Sequence, residues 1–326
     1  MLKMMATDRV KLKSAHNTSL PLVAVSDSPA TVSTISPPLT LSKILLTYLE
    51  LAKPRILVMI ILTAMAGYGL ALRGEVSYRL LWHMSWGIML LGAGVAALNQ
   101  FFERETDRAM RRTENRPLPT GRVTAKNALY FGGLTSLFGL GHLAVFINPL
   151  TALLGLFTLI SYVFIYTPLK RRSSLSTVVG AFPGAMPPLL GWATARGELD
   201  ITAITLFLIM LLWQFPHFLA IAWMYREDYA RAGIRMLPVI ESSGQATSRQ
   251  ILLYSLALIP VSLLPTLLGL AGLIYFIGAL LLGIGYFYVS AQTARQRTGQ
   301  QAKRLLQVSI LYLPLLFILM LLDKLN

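Results

Sequence analysis

The sequence predicts an all-α polytopic membrane protein, a bundle of nine transmembrane helices around a central cavity. Three observations carry that reading. Of 326 residues, 55% are hydrophobic and only 13% are charged, and the mean hydropathy is +0.61, well to the membrane side of globular composition. Apolar runs long enough to cross a bilayer recur from residue 56 onward. No short strands of alternating polarity accompany them, so backbone groups in lipid must be satisfied inside helices and not in a barrel.

Composition also excludes function classes. The net charge of +15 would point to nucleic acid in a soluble chain, but here membrane topology explains it and no nucleic-acid partner is expected. The absence of cysteine removes disulfides, thiolate metal sites and iron–sulfur clusters.

Taken in order, residues 1–42 are rich in Ser, Thr and Pro without apolar periodicity, which predicts a disordered tail. The tail lacks the apolar core of a secretory signal, and its one arginine and two aspartates do not match a mitochondrial presequence. Residues 43–326 form the membrane domain. Its nine apolar segments are 56–72, 80–102, 127–147, 149–166, 175–195, 201–224, 250–269, 271–290 and 305–322. Asn148-Pro149 and Gly269 to Gly272 mark tight turns between neighbouring spans. With nine spans, the N-terminal region and the loops after even-numbered spans carry 25 of the 29 lysines and arginines, and the other side carries 4. The positive-inside rule then puts the N-terminus in the cytoplasm and the C-terminus across the membrane, in a bacterial cytoplasmic (inner) membrane or its equivalent.

The second span runs into Asn99, Glu103 and Asp107, spaced i, i+4 and i+8 along one helix face. Oxygen donors in such a column suit Mg²⁺, which is commonly shared with substrate phosphates. Arg112, Arg116 and Arg122 follow as forked phosphate donors. The sixth span ends similarly, from Trp213 and His217 through Glu227 and Asp228 to Arg235, on the same side of the membrane. Between them lie the basic cluster Lys170-Arg171-Arg172 and the Gly/Pro-rich fifth span from Gly180 to Trp192. Broken backbone at membrane depth is tolerated beside a cavity, so this span predicts a cavity wall. These residues alone leave three readings open: a diphosphate clamp, a salt-bridged helix end with topology anchors, and the ion site of a membrane transporter.

The pattern from Asn99 through Glu103, Asp107, Met110, Arg112 and Arg116-Pro-Leu-Pro to Gly121-Arg122 resembles the first motif of the UbiA-type membrane prenyltransferases. Tyr166-Thr-Pro-Leu-Lys170-Arg171, and Trp213-Gln-Phe-Pro-His217-Phe running to Asp228-Tyr229 and Met236-Leu-Pro, resemble later motifs of the same family. The resemblance covers residues 45–322 and is nearest to the branch that farnesylates heme. There are two departures: Glu103 stands where much of the family has aspartate, and Ala232 leaves Asp228 without the second acid of a common pair.

The resemblance implies a UbiA-like bundle and transfer of a farnesyl group from farnesyl diphosphate to a vinyl group of heme b, with a phenolic acceptor as the alternative. It implies Mg²⁺ as cofactor on Asn99, Glu103, Asp107 and Asp228. Diphosphate would be bound by Arg112, Arg116, Lys170 and Arg171, and heme by His217 with Trp213. Its further expected partners are the lipid bilayer and heme A synthase or terminal-oxidase assembly factors.

Overall fold

The computed structural model describes residues 40–325, and the predicted tail therefore lies outside the described residues up to position 39. The described chain is helical. It begins with α1 (Leu41–Ala52), an element the sequence reading did not pick out. This helix exposes Leu41, Ile44, Leu45, Leu46 and Leu49 and buries Leu51 and Ala52. It is amphipathic and too short to cross a bilayer.

Lys53, in left-handed backbone with φ 56°, turns the chain into α2 (Pro54–Ala71). Pro54 suits that first helical position because its missing N–H is not needed there. The 31-residue α3 (Tyr78–Arg108) carries the Asn99 motif at its C-terminal end. Then come α4 (Ala125–Phe146) and α5 (Pro149–Leu159), the latter capped by Asn148, whose side chain accepts from Thr151 N–H. A π-helical turn, Ile160–Tyr166, and α6 (Thr167–Leu169) complete that span.

The fifth apolar segment departs from the predicted single helix. It forms two pieces, α7 (Ser176–Gly184) and α8 (Met186–Arg196), broken at Ala185. Pro187 and Pro188 lack the N–H groups that a continuous helix would need and are at home only in a first turn. Among the described residues eight helices are long and apolar enough to cross a membrane, one fewer than the predicted nine, and the broken segment is the one that falls short.

The chain continues through α9 (Ile201–Met224), two short surface helices, α10 (Arg226–Arg231) and α11 (Leu237–Ile240), then α12 (Gln245–Leu267), α13 (Leu273–Gln296) and α14 (Gly299–Leu322).

The largest buried cluster joins α2, α8, α9, α12, α13 and α14 around Trp192, Tyr275, Tyr286 and Tyr312. Leu137, Phe138, Leu281 and Leu311 point outward, fully in keeping with a lipid solvent. Helices α2 and α8 touch backbone to backbone. A Cβ at Gly67 would strike the Pro188 carbonyl, and one at Gly191 would strike the Ala64 carbonyl. Such small-residue contacts are how membrane helices gain close packing where lipid removes the hydrophobic drive to associate.

Candidate active site

The C-terminal end of α3, the α1–α2 corner and the loops after α6 and α9 converge on a cavity of about 200 Å³. Asn99, Glu103 and Asp107 project into it from successive turns of α3, as their spacing requires, and all three are buried. Each is already held by a cation or amide partner. One guanidinium nitrogen of Arg116 donates to Asp107 Oδ1 at 2.8 Å and to Oδ2 at 2.7 Å. Lys170 Nζ lies 2.7 Å from Glu103 Oε1. Lys53 Nζ donates to Asn99 Oδ1 at 3.2 Å, and the Asn99 amide donates to Thr167 Oγ1 at 3.1 Å.

The loop after α3 doubles back to place these groups. Thr113 Oγ1 donates to the Asp107 carbonyl at 2.9 Å, which turns the chain so that Arg116 faces the end of the helix it has just left. The Arg235 N–H donates to the Lys170 carbonyl at 2.9 Å, tying the two far loops together. Tyr162 and Tyr166 come from the π-helical turn, a local widening of helix often found at functional sites. Tyr166 stacks under the Lys170 ammonium, 4.4 Å from ring centre to Nζ.

Four cations, Lys53, Arg112, Arg116 and Lys170, thus line the same cavity as two carboxylates. Burial and the nearby Arg116 guanidinium, with Lys170, push the Lys53 ammonium down to about 7. Burial also works against charge on Lys170, but Glu103 and the two tyrosines hold its ammonium well above the usual lysine value. A pocket with surplus positive charge is built to receive a polyanion.

Lys53 was missed by sequence reasoning, which counted it only among the positive charges of the N-terminal region. Its signal was a lysine directly before a helix-starting proline.

The other predicted residues divide between this cavity and its surroundings. Arg112 lines the cavity, with its guanidinium 3.5 Å from the Tyr229 hydroxyl. Met110 packs against Ala222, Ala232, Ile234 and Met236. Arg171 does not reach the cavity. It is exposed and lines a neighbouring one of about 310 Å³, separated by the Glu103–Lys170 pair that both share. Arg122 is taken up by Glu50, at 2.6 and 3.0 Å. Asp228 is not on the wall either. It pairs with Arg231 and accepts from the Arg112 N–H at 3.4 Å, while Glu227 is exposed. Among the described residues no group of three or more His, Asp or Glu side chains is gathered closely enough to form a metal cage.

A second cavity of about 310 Å³ adjoins the first, and Lys53, Ile56, Tyr162 and Phe218 line both. It is almost wholly apolar, walled by α2, α3, α9 and the broken α7–α8 segment through Pro183, Gly184, Met186 and Pro187. The Gly/Pro-rich segment is therefore a cavity wall, as its composition predicts. His217 and Trp213 face this cavity, with their rings stacked 5.0 Å apart. His83 and His142 sit apart from both cavities, paired with each other at 3.2 Å.

Comparison with known proteins agrees with this arrangement. The profile of the UbiA prenyltransferase family matches residues 60–319. A protoheme IX farnesyltransferase of Solibacter usitatus is 50% identical over 287 residues, 85% of this chain and 98% of that protein. One from Koribacter versatilis is 44% identical over 309 residues, 90% of this chain and 99% of its own. In fold, the chain is similar to a digeranylgeranylglyceryl phosphate synthase, with a TM-score of 0.71 at 18% identity over 86% of this chain and 98% of the other. It is also similar to a UbiA homologue from Archaeoglobus fulgidus solved with GPP and Mg²⁺, with a TM-score of 0.63 at 18% identity over 84% and 99% of the two chains.

Proposed function

The chain belongs to the UbiA prenyltransferase family, and from that premise we propose that it transfers the farnesyl group of farnesyl diphosphate to a vinyl group of protoheme IX, giving heme O. The observation that carries this reading is the pair of adjoining cavities, one cationic and one apolar, joined at Lys53, Ile56, Tyr162 and Phe218. The extent of the match to protoheme IX farnesyltransferases supports the acceptor.

The donor set fits a divalent cation. Asn99, Glu103 and Asp107 present hard oxygen ligands at a phosphate-sized polar cavity, and Arg116 and Lys170 guard the two carboxylates until a substrate's phosphate oxygens draw those cations away. Asn99, Glu103 and Asp107 would hold Mg²⁺, and the ion would neutralise the diphosphate as it becomes a leaving group. Asp228 lies off the wall and serves indirectly, by accepting from the backbone N–H of Arg112.

The protein's own groups do the rest. Lys53, Arg112, Arg116 and Lys170 bind diphosphate oxygens through charge-assisted bonds that strengthen as the C1–O bond breaks. The farnesyl chain lies in the apolar cavity, whose walls keep water from the allylic cation. Tyr162 and Phe218 stand at the junction where C1 must sit. The heme vinyl attacks C1, and water quenches the cation left on the porphyrin side, releasing one proton. His217 and Trp213, on the wall of the same apolar cavity, would position the acceptor beside the farnesyl chain.

The test is pigment analysis of membranes from a host that lacks heme O, with and without this protein. A heme heavier by one farnesyl and one water, present only with the intact protein, is expected. Prenylation of a phenolic acceptor with no new heme would overturn the heme assignment and leave the family reaction standing.

A further inference from the structure

The apolar cavity has a floor, and three helices place it at the same depth. Its wall runs on α9 from Phe218, at the junction with the cationic cavity, to Met210, and on α3 from Ala96 to Ile88. Each stretch covers about 12 Å of helix axis. On α2 the wall runs from Lys53 to Ile60, about 10 Å.

One turn further from Lys53 the packing is solid. Ala64 follows Ile60, Met84 precedes Ile88 and Leu206 precedes Met210, and all three of these deeper residues are fully buried. Ala64 and Met84 join Tyr68, Ile88 and Leu190 in a single hydrophobic cluster. Leu190 of α8 completes the floor, and its neighbour Gly191 is pressed against the Ala64 carbonyl. On the lower wall the Thr158 hydroxyl is turned back onto the Leu154 carbonyl of its own helix at 2.8 Å. The deep end is therefore closed and apolar, and a core packed this closely does not yield to an extra chain segment without strain.

A prenyl diphosphate with its phosphates among Lys53, Arg116 and Lys170 lays its tail down this cavity. The depth from junction to floor suits an extended chain of three isoprene units. Two units leave the floor uncovered. A fourth needs nearly another helical turn of depth, where Ala64, Met84 and Leu206 already stand. We propose that Ile60, Ile88, Leu190 and Met210 form a specificity-determining floor that fixes the prenyl donor at three isoprene units. The inference rests on the reading of the two cavities as diphosphate and tail sites, and it is independent of which acceptor the chain serves.

The experiment uses the purified full-length protein in nanodiscs with Mg²⁺. Affinities for geranyl, farnesyl and geranylgeranyl diphosphate are measured by competition, and transfer to heme is assayed separately by mass. The parent is expected to bind farnesyl diphosphate most tightly and the geranylgeranyl compound at least about tenfold more weakly. Met210→Ala deepens the cavity and should remove that difference. Met210→Trp raises the floor and should reverse the order, with geranyl diphosphate bound about tenfold more tightly than farnesyl. Leu190→Ala should shift the preference in the same direction as Met210→Ala. A gain of affinity for a longer chain is not an effect that a general loss of packing produces.

Equal affinity of the parent for the farnesyl and geranylgeranyl compounds would show that the tail leaves sideways into lipid, and would overturn the proposal. So would unchanged preference in both Met210→Ala and Leu190→Ala. Selection by chain length without any farnesylated heme would leave the floor standing and overturn the heme reading instead. Failure of all three diphosphates to bind would remove the floor and the diphosphate site together.

Discussion

Arg116 holds Asp107 through a single guanidinium nitrogen, 2.8 and 2.7 Å from the two carboxylate oxygens, and the carboxylate is wholly shielded from solvent. Nine residues separate the two in sequence, and the turn through Thr113 closes that gap. A buried carboxylate without a cation carries a large desolvation cost. The motif's arginine therefore holds the acid in place before any metal or diphosphate arrives.

Asp107→Asn keeps the shape and an oxygen acceptor for Arg116 but removes the negative charge. Turnover is expected to fall by on the order of 10²–10³-fold, read as farnesylated heme in host membranes, with protein levels unchanged. A variant with full turnover would take Asp107 out of the diphosphate site.

Lys53 separates charge from backbone. Its left-handed conformation is strained for lysine and free for glycine, so Lys53→Gly relieves about 1 kcal/mol of backbone strain. Lys53→Met keeps the stem but not the charge. Both are expected to raise the KM for farnesyl diphosphate by roughly tenfold, about 1.4 kcal/mol, with Lys53→Gly melting no lower than the parent. Heme affinity should stay put in both. An unchanged KM in both would show that the lysine serves the α1–α2 corner and not the substrate.

Much of this was legible in advance. The face made by Asn99, Glu103 and Asp107 follows from helical periodicity, and the cavity wall follows from the prolines at 183, 187 and 188. What stayed hidden depended on partners remote in sequence. Helix α1 lacks a membrane-length apolar run, so no span signal marks it. Arg122 and Arg171 have the composition of phosphate ligands, but Glu50 captures the first and the Glu103–Lys170 pair screens off the second. Asp228 is held by Arg231, three residues along its own short helix.

Gly191→Ala tests the backbone contact that supports the cavity wall. The added methyl would collide with the Ala64 carbonyl, where no rotamer can yield. Destabilisation of about 3 kcal/mol is expected, at the upper end for overpacking, measured as a lowered melting temperature in detergent. Gly133→Ala, with nothing within 4 Å of the new Cβ, is the control and should melt like the parent or slightly higher. Equal melting of the two variants would refute the tight α2–α8 packing.

The broken α7–α8 segment decides the topology, because two half-helices can either cross a membrane or fold back. Contacts at the two ends of α2 argue for crossing. At its N-terminal end Lys53 shares a cavity with Lys170, just before the segment. At its C-terminal end the Arg196 guanidinium, closing the segment, donates to the Ala71 carbonyl at 2.6 Å. The chain thus travels the length of α2 between Lys170 and Arg196. Lys324 Nζ donates to the Gly69 and Leu72 carbonyls at 3.1 and 2.6 Å, which places the end of α14 beside Arg196 and away from Lys53. With lysine and arginine concentrated on the Lys53 side, that side is expected to be cytoplasmic. A reporter fused at the N-terminus should be shielded from external protease in intact cells, and one at the C-terminus should be cleaved. Protection of both would mean that the half-helices fold back, and the shared ends of α2 and α8 would then need a different explanation.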